Sequence, residues 1–327
     1  LYEPKWDGFR CLVFREGASV DLRSRHDRPL GRYFPEIVAA VRELPDEVVL
    51  DGELILAGPT GSDFAALMGR LHPAATRVER LSREAPASYV AFDLLAAGGE
   101  DLRSEPFVER RRRLEALLRD VPAPIVLTPS TADPDEAERW FEEARGGGVD
   151  GVVAKEPGLR YEPGRRSMVK VKHERTADCV VAGARFLAAG RAISSLLLGL
   201  YDDREQLRHV GVVTNLPTAM RIELVDELAP RAIPLEDHPW REGFLIGRSP
   251  LGRLRGSAAR WTPDMEHDWL PLRPDLVCEV GYDQVDVDRF RHPARFRRWR
   301  PDRVAASCRL DQIEVEAPPL LELVATG

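Results

Sequence analysis

The feature that most constrains this chain is a lysine near its beginning, Lys5, within the stretch Pro4-Lys-Trp-Asp-Gly-Phe-Arg10. A lysine amine is a poor nucleophile at neutral pH, because its ordinary pKa is about 10.4. An apolar surrounding and neighbouring cations lower that pKa, and a lysine activated in this way serves Schiff-base chemistry or nucleotidyl transfer. A lysine beside Asp-Gly is more often part of a surface turn, so the stretch takes its meaning from its partners along the chain.

Six further motifs follow in order, and each consists of charged or aromatic residues inside or beside apolar segments. They are Ser24-Arg25, Asp51-Gly52-Glu53, Phe92-Asp93, Asp150-Gly-Val-Val-Ala-Lys155, Lys170-Val171-Lys172 and Arg300-Pro-Asp-Arg303. The ordered set resembles the covalent nucleotidyltransferase superfamily, and most closely the ATP-dependent DNA ligases of the short bacterial two-domain type. The resemblance covers nearly the whole chain. Each motif alone is weak, whereas the complete order is specific.

Length, composition and charge limit the number of domains and the kind of DNA contact that the chain can make. The 327 residues predict about two domains, and an apolar content of 43% supports sizeable cores. A net charge of -7 and a pI near 5.7 exclude a uniformly basic nucleic-acid-binding protein, so any DNA contacts must come from local basic patches. One such patch, residues 288–303, has seven arginines against two aspartates and is interleaved with aromatic residues. Arginines 110–113 fall on a predicted helix, and we interpret them as a solvated face.

Cysteines and apolar runs bear on the compartment. The four cysteines are far apart and form no C-x-x-C pair, which predicts reduced thiols rather than zinc or disulfides; they are Cys11, Cys179, Cys278 and Cys308. No apolar run reaches the roughly 18 residues of a membrane span, and no signal peptide is visible. We expect a cytoplasmic, nucleoid-associated bacterial protein. The chain starts four residues before Lys5 without an initiator Met, so we also expect an upstream segment, which in the resembled family helps to bind ATP.

Periodicity and turn residues predict an α+β chain of two domains. In the first part we expect a hairpin over 9–23, helices over 33–44, 62–71, 107–118 and 135–144, and strands over 48–56, 88–95, 149–155 and 168–172. Glycines 146–148 lack the Lys-Ser/Thr of a P-loop and predict a helix stop. After Lys172 come short strands over 179–186, 194–201, 209–213 and 276–282, with one helix over 218–228, which suits a β-barrel such as an OB-fold. The resemblance implies an adenylation domain of antiparallel sheets with flanking helices at 1–173 and an OB-fold domain at 174–327.

The resemblance also assigns catalytic roles. It implies that Lys5 attacks the α-phosphate of ATP and carries AMP as a phosphoramidate, and that Asp7 orients neighbouring groups. Lys170 is implied to contact the α-phosphate, while Lys172 is nearby or structural. We expect only one of these two lysines to face the pocket fully, with a solvated edge strand as the alternative for both.

Nucleotide binding is assigned in the same way. Glu3 resembles the residue that reads the adenine amino group, and Phe92 resembles the aromatic that stacks on adenine, although a core aromatic is about as probable from the pattern alone. Glu53 resembles the residue that holds the ribose. Arg10 and Arg25 resemble arginines near the ribose and the β- and γ-phosphates, or near the 5′-phosphate of DNA once AMP is attached.

Metal and phosphate contacts complete the implied site. Glu53 and Asp150 are the candidate ligands for Mg²⁺ or Mn²⁺, which favour oxygen donors. The family position of Asp150 is usually Glu, so we expect a water between this shorter side chain and the metal. Arg300 begins the terminal motif, R-x-D-K in many relatives, and Arg303 here replaces the lysine. In the family this motif swings onto the pyrophosphate, which implies a hinge near His173. The DNA-binding candidates are Arg165, Arg166, Arg295, Arg298 and Arg303.

The leading interpretation is an ATP-dependent DNA ligase that seals nicks in double-stranded DNA through a lysine-AMP intermediate. An RNA ligase or a GTP-dependent capping guanylyltransferase is the alternative, since these enzymes share the lysine and most motifs. A catalytically dead DNA-binding module is a third possibility, although it would be expected to lose Lys5, Glu53 or Lys170. With no extra DNA-binding domain visible, we expect modest affinity for nicks. We therefore expect a monomer that acts in repair with a polymerase or an end-binding protein.

Overall fold

The computed structural model describes residues 1–58, 61–144, 149–165, 167–187, 192–241, 269–286 and 288–313. They form two compact units, which contain Leu1–His173 and Glu174–Glu314. The assignment of 1–173 as an adenylation domain and of 174–327 as an OB-fold domain stays a prediction. The glycine triplet at 146–148, Arg166 and the part of the second predicted domain beyond residue 313 lie outside the described residues.

The first unit contains eleven of the described strands and five helices. In chain order they are β1 (Tyr2–Trp6), β2 (Phe9–Glu16), β3 (Ser19–Ser24), α1 (Pro35–Arg42), β4 (Val48–Ile55), β5 (Ala57–Gly58), β6 (Gly61–Ser62), α2 (Phe64–Gly69), α3 (Ala75–Glu84), β7 (Ser88–Ala97), β8 (Glu100–Asp101), α4 (Phe107–Leu118), β9 (Ile125–Leu127), α5 (Pro134–Glu143), β10 (Val149–Ala154) and β11 (Val169–Lys172). The predicted hairpin, helices and strands are all present. The elements that we did not predict are β1, the helix α3 and four strands of two or three residues, β5, β6, β8 and β9.

Two larger sheets and a two-stranded one, β5-β6, are present in the described part of this unit. Six strands form one sheet in the order β3-β2-β4-β7-β8, with β9 parallel to β7, and three strands form the other in the order β1-β10-β11. The larger sheet packs its apolar face against α1, α2 and α4, where Ile37, Leu67 and Leu114 are fully buried. The smaller sheet packs Trp6 against α5, around Trp140. Asp63 is the N-cap of the helix α2, because its carboxylate accepts a hydrogen bond from the Ala66 amide at 2.7 Å.

A β-bulge shapes the smaller sheet at the first motif. The ladder between β1 and β10 loses register between Pro4 and Trp6, so Asp150 and Gly151 both lie opposite Lys5. A bulge bends a strand and re-aims the side chains beside it. The bulge at Asp150-Gly151 therefore turns the Asp150 carboxylate toward Lys5.

Two motif glycines are required by close backbone approach. Gly151 has a φ of +137°, and a Cβ built on it would lie 2.1 Å from the carbonyl oxygen of Val171 on β11. Gly52 lies under the ring of Tyr89, whose Cζ would be 2.5 Å from a Cβ. The glycines of two acidic motifs are thus explained by packing, because only a residue without Cβ fits there.

The second unit contains seven described strands and one helix. They are β12 (Arg175–Phe186), β13 (Ile193–Tyr201), β14 (Leu207–Val213), α6 (Thr218–Leu228), β15 (Leu270–Tyr282), β16 (Val285–Asp286), β17 (Arg289–Phe290) and β18 (Arg295–Trp299). Five of them form an antiparallel sheet in the order β14-β13-β12-β15-β18 around a buried apolar core. Within the described residues no continuous ladder closes this sheet, but one parallel bridge joins Val213 of β14 to Ala294 beside β18. Three consecutive strands, a helix and two further strands in this order match the partly open Greek-key barrel of an OB-fold.

The α+β class with antiparallel sheets is therefore confirmed. Part of the arginine-rich patch forms the edge strand β18. None of the helices in the described parts of the chain is long and apolar enough to cross a membrane.

Replacing the bulge glycine tests this account of the smaller sheet. Gly151→Ala places a methyl group against the Val171 carbonyl and imposes a φ of +137° on an L-residue, so we expect the free energy of unfolding to fall by about 2–3 kcal/mol in urea denaturation. Gly158→Ala is the control, because a Cβ there has no heavy atom within 4 Å. Similar unfolding midpoints for the two variants would contradict the bulge as a constraint.

Candidate active site

The bulge brings two lysines onto one carboxylate. Lys5 Nζ donates to Asp150 Oδ2 at 2.6 Å, and Lys172 Nζ donates to the same oxygen at 2.9 Å. Burial by itself raises the pKa of Asp150, but the charges and hydrogen bonds of the two lysines outweigh it and lower the pKa to about 2. The Lys5 and Asp150 side chains are only 18% and 10% exposed. The fixed carboxylate therefore holds the amine of Lys5 in one place.

Lys170 lies in the same cluster. Burial lowers the pKa of its amine, and the positive charges of Lys5, Arg10 and Arg25 lower it further. Lys172 pairs with Asp150, and the charge of Lys5 acts on Lys170, so both β11 lysines adjoin the same site. The expectation that only one of them faces the pocket was wrong. The physical reason is that residues two apart on a strand share a face.

Glu53 closes the cluster from β4. Burial raises the pKa of its carboxyl to about 8; Lys5 opposes the rise, while Asp7 and Asp51 add to it. The Gly8 amide donates a hydrogen bond to this carboxyl. The structure thus groups Glu53 and Asp7 with Lys5, as the motif order predicts.

Arg10 and Arg25 occupy the neighbouring hairpin strands. Arg10 is opposite Glu53 in the β2–β4 ladder, and its guanidinium forms a bidentate ion pair with Asp51, with Nε–Oδ1 at 3.1 Å and Nη2–Oδ2 at 2.6 Å. Arg25 is exposed just after β3. Both arginines are near enough to Lys170 to affect its pKa, so the predicted phosphate-binding arginines border the lysine cluster.

Glu3 is engaged inside the protein. Its side chain is 3% exposed, and it pairs with Lys155 Nζ at 2.6 Å and with Arg111 Nη1 at 3.3 Å. Burial raises the pKa of this carboxyl, against the two cations. The adenine-reading role of Glu3 stays a prediction, and the partners of its carboxylate here are the unit's own cations.

Phe92 is the extra residue of a second bulge. The β4–β7 ladder pairs Asp51 with Asp93 and Gly52 with Ala91, which leaves Phe92 between them. Its ring is half-buried, and Lys155 Nζ lies 5.0 Å from the ring centroid. A bulged, half-exposed aromatic on this strand is compatible with stacking on a base, which stays a prediction.

The interpretation of arginines 110–113 as a solvated face was wrong for two of them. Arg110 is buried and forms a bidentate pair with Asp93 at 2.8 and 2.9 Å, and Arg111 is buried against Glu3. Arg112 and its successor on α4 are more exposed, as expected. A buried arginine needs a carboxylate partner. The partners here come from β1 and β7, and helical periodicity carries no information about contacts with other elements.

The terminal motif belongs to the second unit and is fixed there by Asp178 of β12. Arg300 Nη1 lies 2.8 Å from Asp178 Oδ1, and Arg303 Nε lies 3.1 Å from Asp178 Oδ2. Arg300 also pairs with Asp302 at 2.7 Å. The motif is thus ordered by its own unit, and its predicted movement onto pyrophosphate stays a prediction.

The other DNA-binding candidates have acidic neighbours. Arg165 pairs with Glu162, Arg295 with Asp283 and Arg298 with Glu279, and all three arginine side chains are exposed. Arg166 cannot be placed among them because it is outside the described residues. Exposed ion pairs exchange partners at little cost, so these arginines remain candidates for phosphate contacts.

Comparison with known proteins identifies the family. The family model "ATP dependent DNA ligase domain" matches residues 1–172, and "ATP dependent DNA ligase C terminal region" matches residues 189–303. DNA ligase C2 of Mycolicibacterium smegmatis is 50% identical over 321 residues, which cover 97% of this chain and 90% of that protein. The chain belongs to the ATP-dependent DNA ligase family. The resemblance read from the motifs is confirmed, and ATP and DNA are the substrates of this ligase.

Two further comparisons bear on setting and fold. The multifunctional non-homologous end joining DNA repair protein LigD of Mycobacterium tuberculosis is 31% identical over 290 residues, which cover 84% of this chain and 36% of that protein. A solved structure from work on minimal-scaffold Lig E DNA ligases has a TM-score of 0.53 at 16% identity, with 91% of each chain covered. That structural likeness concerns the fold alone.

The donor set of the ligase fits a hard divalent cation. Asp150 pairs with Lys5, and Glu53 is near enough to Lys5 for that charge to affect its pKa. Both supply carboxylate oxygens, the donors that Mg²⁺ prefers. Among the described residues no group of three or more His, Cys, Asp or Glu side chains is arranged to hold a metal. Few protein carboxylates together with substrate phosphate is the usual Mg²⁺ arrangement, so Glu53 and Asp150 stay candidate ligands.

Sequence reasoning missed four residues around this site. Asp51, Tyr161, Lys155 and Arg110 form its buried ion pairs and hydrogen bonds, yet none was selected as a site residue. Lys155 had a usable sign, because it ends the D-G-V-V-A-K motif. Tyr161 had none, because an isolated tyrosine in a polar loop is compatible with any role.

The Asp150 pairs predict a specific response to acid. The folded pKa of about 2 lies below the unfolded value near 3.9. The pairs therefore stabilise the fold fully above about pH 4, and this contribution is lost as the pH falls through 2. We expect wild type to exceed Asp150→Asn by about 2 kcal/mol in urea unfolding at pH 6 with EDTA, and the difference to shrink below pH 4.

Asp101→Asn is the matched control for this measurement. Asp101 also has its pKa lowered to about 2, by hydrogen bonds from Arg103, but this pair is exposed on the surface. Exposed pairs contribute little, so we expect no measurable change in unfolding free energy. A pH-independent difference between wild type and Asp150→Asn would contradict the ionised pair.

Proposed function

We propose that this ligase joins the 5′-phosphate and 3′-hydroxyl at nicks in duplex DNA through AMP carried covalently on Lys5. The observation that supports it most is the convergence of Lys5, Lys170 and Lys172 with two half-buried carboxyls, those of Asp150 and Glu53, inside the unit that the ligase family model matches. A nucleophilic amine flanked by fixed positive charges is what attack on a nucleotide phosphate requires.

In the first step the Lys5 ammonium loses a proton to solvent, and its nitrogen attacks the α-phosphorus of ATP. The phosphorus–nitrogen bond forms, the bond to pyrophosphate breaks, and a second proton leaves the nitrogen to solvent. Asp150 holds the amine in position, and positioning together with charge neutralisation supplies most of the acceleration in phosphoryl chemistry. Lys170, whose amine lies among other cations, is the proposed contact of the α-phosphate, while Glu53 is the proposed contact of the ribose or of a metal.

The later steps take place on DNA. The AMP moves from Lys5 to the 5′-phosphate at the nick, and the 3′-hydroxyl then displaces it. The proposed phosphate contacts are Arg25, the exposed arginines 165, 295 and 298, and Arg166. In the second unit, Arg300 and Arg303 are the proposed partners of pyrophosphate. A divalent cation, Mg²⁺ or Mn²⁺, held by Asp150 and Glu53 would neutralise phosphate charge when bound.

Covalent labelling tests the lysine assignment. The protein is incubated with α-labelled ATP or GTP and Mg²⁺, and label that survives denaturing electrophoresis is counted. We expect label from ATP, none from GTP, and none in the presence of EDTA. Lys5→Arg and Lys5→Ala should both remain unlabelled, because neither retains the nucleophilic amine.

The arginine variant is the informative control. It keeps a cation that can pair with Asp150, so loss of label with an unchanged melting temperature isolates the nucleophile from the ion pair. Label on either variant would disprove the assignment of Lys5. Label from GTP alone would support the capping guanylyltransferase alternative.

We further propose that the enzyme acts as a monomer on bacterial DNA during repair, in the cytoplasm. The similarity to a LigD repair protein supports a repair setting. The net charge of -7 and the acidic partners of the candidate DNA-binding arginines support modest affinity for DNA. A repair polymerase or an end-binding protein would then supply the missing affinity.

Binding and sealing assays on a labelled nicked duplex test this proposal. We expect a Kd above about 1 μM at 150 mM salt, with a shallow dependence of log Kd on log salt because few phosphates are neutralised. An intact duplex of the same sequence is the control. Tight binding together with rapid multiple-turnover sealing by the purified chain alone would contradict a need for a partner.

A further inference from the structure

A closed three-residue hydrogen-bond cluster lies beside the lysines. Asp51 is completely buried, and its carboxylate accepts from Arg10 Nε at 3.1 Å, from Arg10 Nη2 at 2.6 Å and from the Tyr161 hydroxyl at 2.9 Å. The Tyr161 oxygen in turn accepts from Arg10 Nη2 at 3.3 Å. We call these three residues the Arg10 clamp. Each member contacts the other two, so removal of one loosens both remaining contacts.

The clamp uses a defined part of the guanidinium. Asp51 takes the Nε–Nη2 edge, as in other bidentate arginine–carboxylate pairs. The Nη1 group has no hydrogen-bond partner within the described part of the chain, and the Arg10 side chain is 43% exposed. Arg10 is also opposite Glu53 in its ladder and near enough to Lys170 to affect its pKa. The remaining donor therefore borders the lysine cluster.

Tyr161 is itself held from behind. Its amide donates to the Arg103 carbonyl at 2.9 Å, and the Leu159 carbonyl accepts from the buried Arg110 at 3.1 Å. Burial and the Asp51 carboxylate raise the pKa of the Tyr161 hydroxyl to about 12, so it remains a donor over the working pH range. A loop residue anchored in this way can orient a carboxylate, because its own position is fixed.

We propose that Tyr161 is a positioning residue, whose hydroxyl acts through Asp51 to fix Arg10 so that Nη1 donates to an anionic phosphate oxygen of the substrate. The inference rests on the proposed function and adds to it a residue outside all the motifs. The oxygen belongs either to ATP or to the 5′-phosphate of DNA. The chemistry of the contact is the same for both, and the two reaction steps distinguish them.

A double-mutant cycle tests the proposal. Tyr161→Phe, Arg10→Ala and the double variant are assayed in two ways: lysine adenylylation as a function of ATP concentration, and sealing of a pre-adenylylated nick. We expect Tyr161→Phe alone to lower kcat/KM of one of these steps about tenfold, as for a lost hydrogen bond to a charged group. In the Arg10→Ala background the same change should have no further effect, because coupled residues are not additive. A loss confined to adenylylation assigns the oxygen to ATP, and a loss confined to sealing assigns it to DNA.

Controls separate positioning from stability. Arg10→Lys is the second background, because it keeps the charge but cannot form the bidentate pair, and Tyr161→Phe should be silent in it too. Tyr89→Phe removes another buried hydroxyl, which donates to the Cys11 carbonyl at 3.1 Å, and should retain wild-type kcat/KM in both steps. Equal losses from Tyr161→Phe in the wild-type, Arg10→Ala and Arg10→Lys backgrounds would overturn the proposal. Absence of wild-type adenylylation would instead refute the proposed function.

Discussion

The ion pair between Lys5 and Asp150 is the contact on which the rest of the site depends. It exists because β10 has one residue too many opposite β1, and the bulge turns the carboxylate toward the amine. The bulge in turn requires Gly151, since any larger residue would strike the β11 backbone. Lys172 then reaches the same carboxylate from β11. One irregularity of pairing therefore brings Lys5 of β1 to residues of β10 and β11, although Lys5 and Asp150 are 145 residues apart in sequence.

The interior of the same unit also contains buried ion pairs. Arg110 with Asp93, and Lys155 with Glu3, are almost completely excluded from water. Breaking a buried pair leaves an uncompensated charge, which costs far more than losing a surface pair. Such pairs favour one arrangement of the β1, β7 and α4 side chains over its alternatives, because a shift in register would leave both charges buried without a partner. Glu3 belongs to one of these pairs, and the Phe92 ring centroid lies 5.0 Å from Nζ of Lys155 in the same pair.

The sequence predicted the regular elements well and the polar interior poorly. The helices over 107–118 and 218–228 and the hairpin were foreseen because apolar periodicity and turn residues are local properties. The burial of Arg110 was not foreseen, since its carboxylate partner comes from another element seventeen residues away. The site residues were grouped by motif order, whereas the clamp formed by Arg10, Asp51 and Tyr161 had no pattern to reveal it. Distances between side chains follow from packing, which a single sequence does not encode position by position.

By itself, the sequence determined the family, the order of the motifs and the identity of the lysine that stands among them, because these depend on residue type and spacing. The tertiary structure alone decided which charges meet. It placed both β11 lysines in one cluster, turned Asp150 toward Lys5 and attached the terminal motif to Asp178 within its own unit. The physical reason is that a charge is tolerated inside a protein only beside its counter-charge, and the fold chooses that partner from the whole chain.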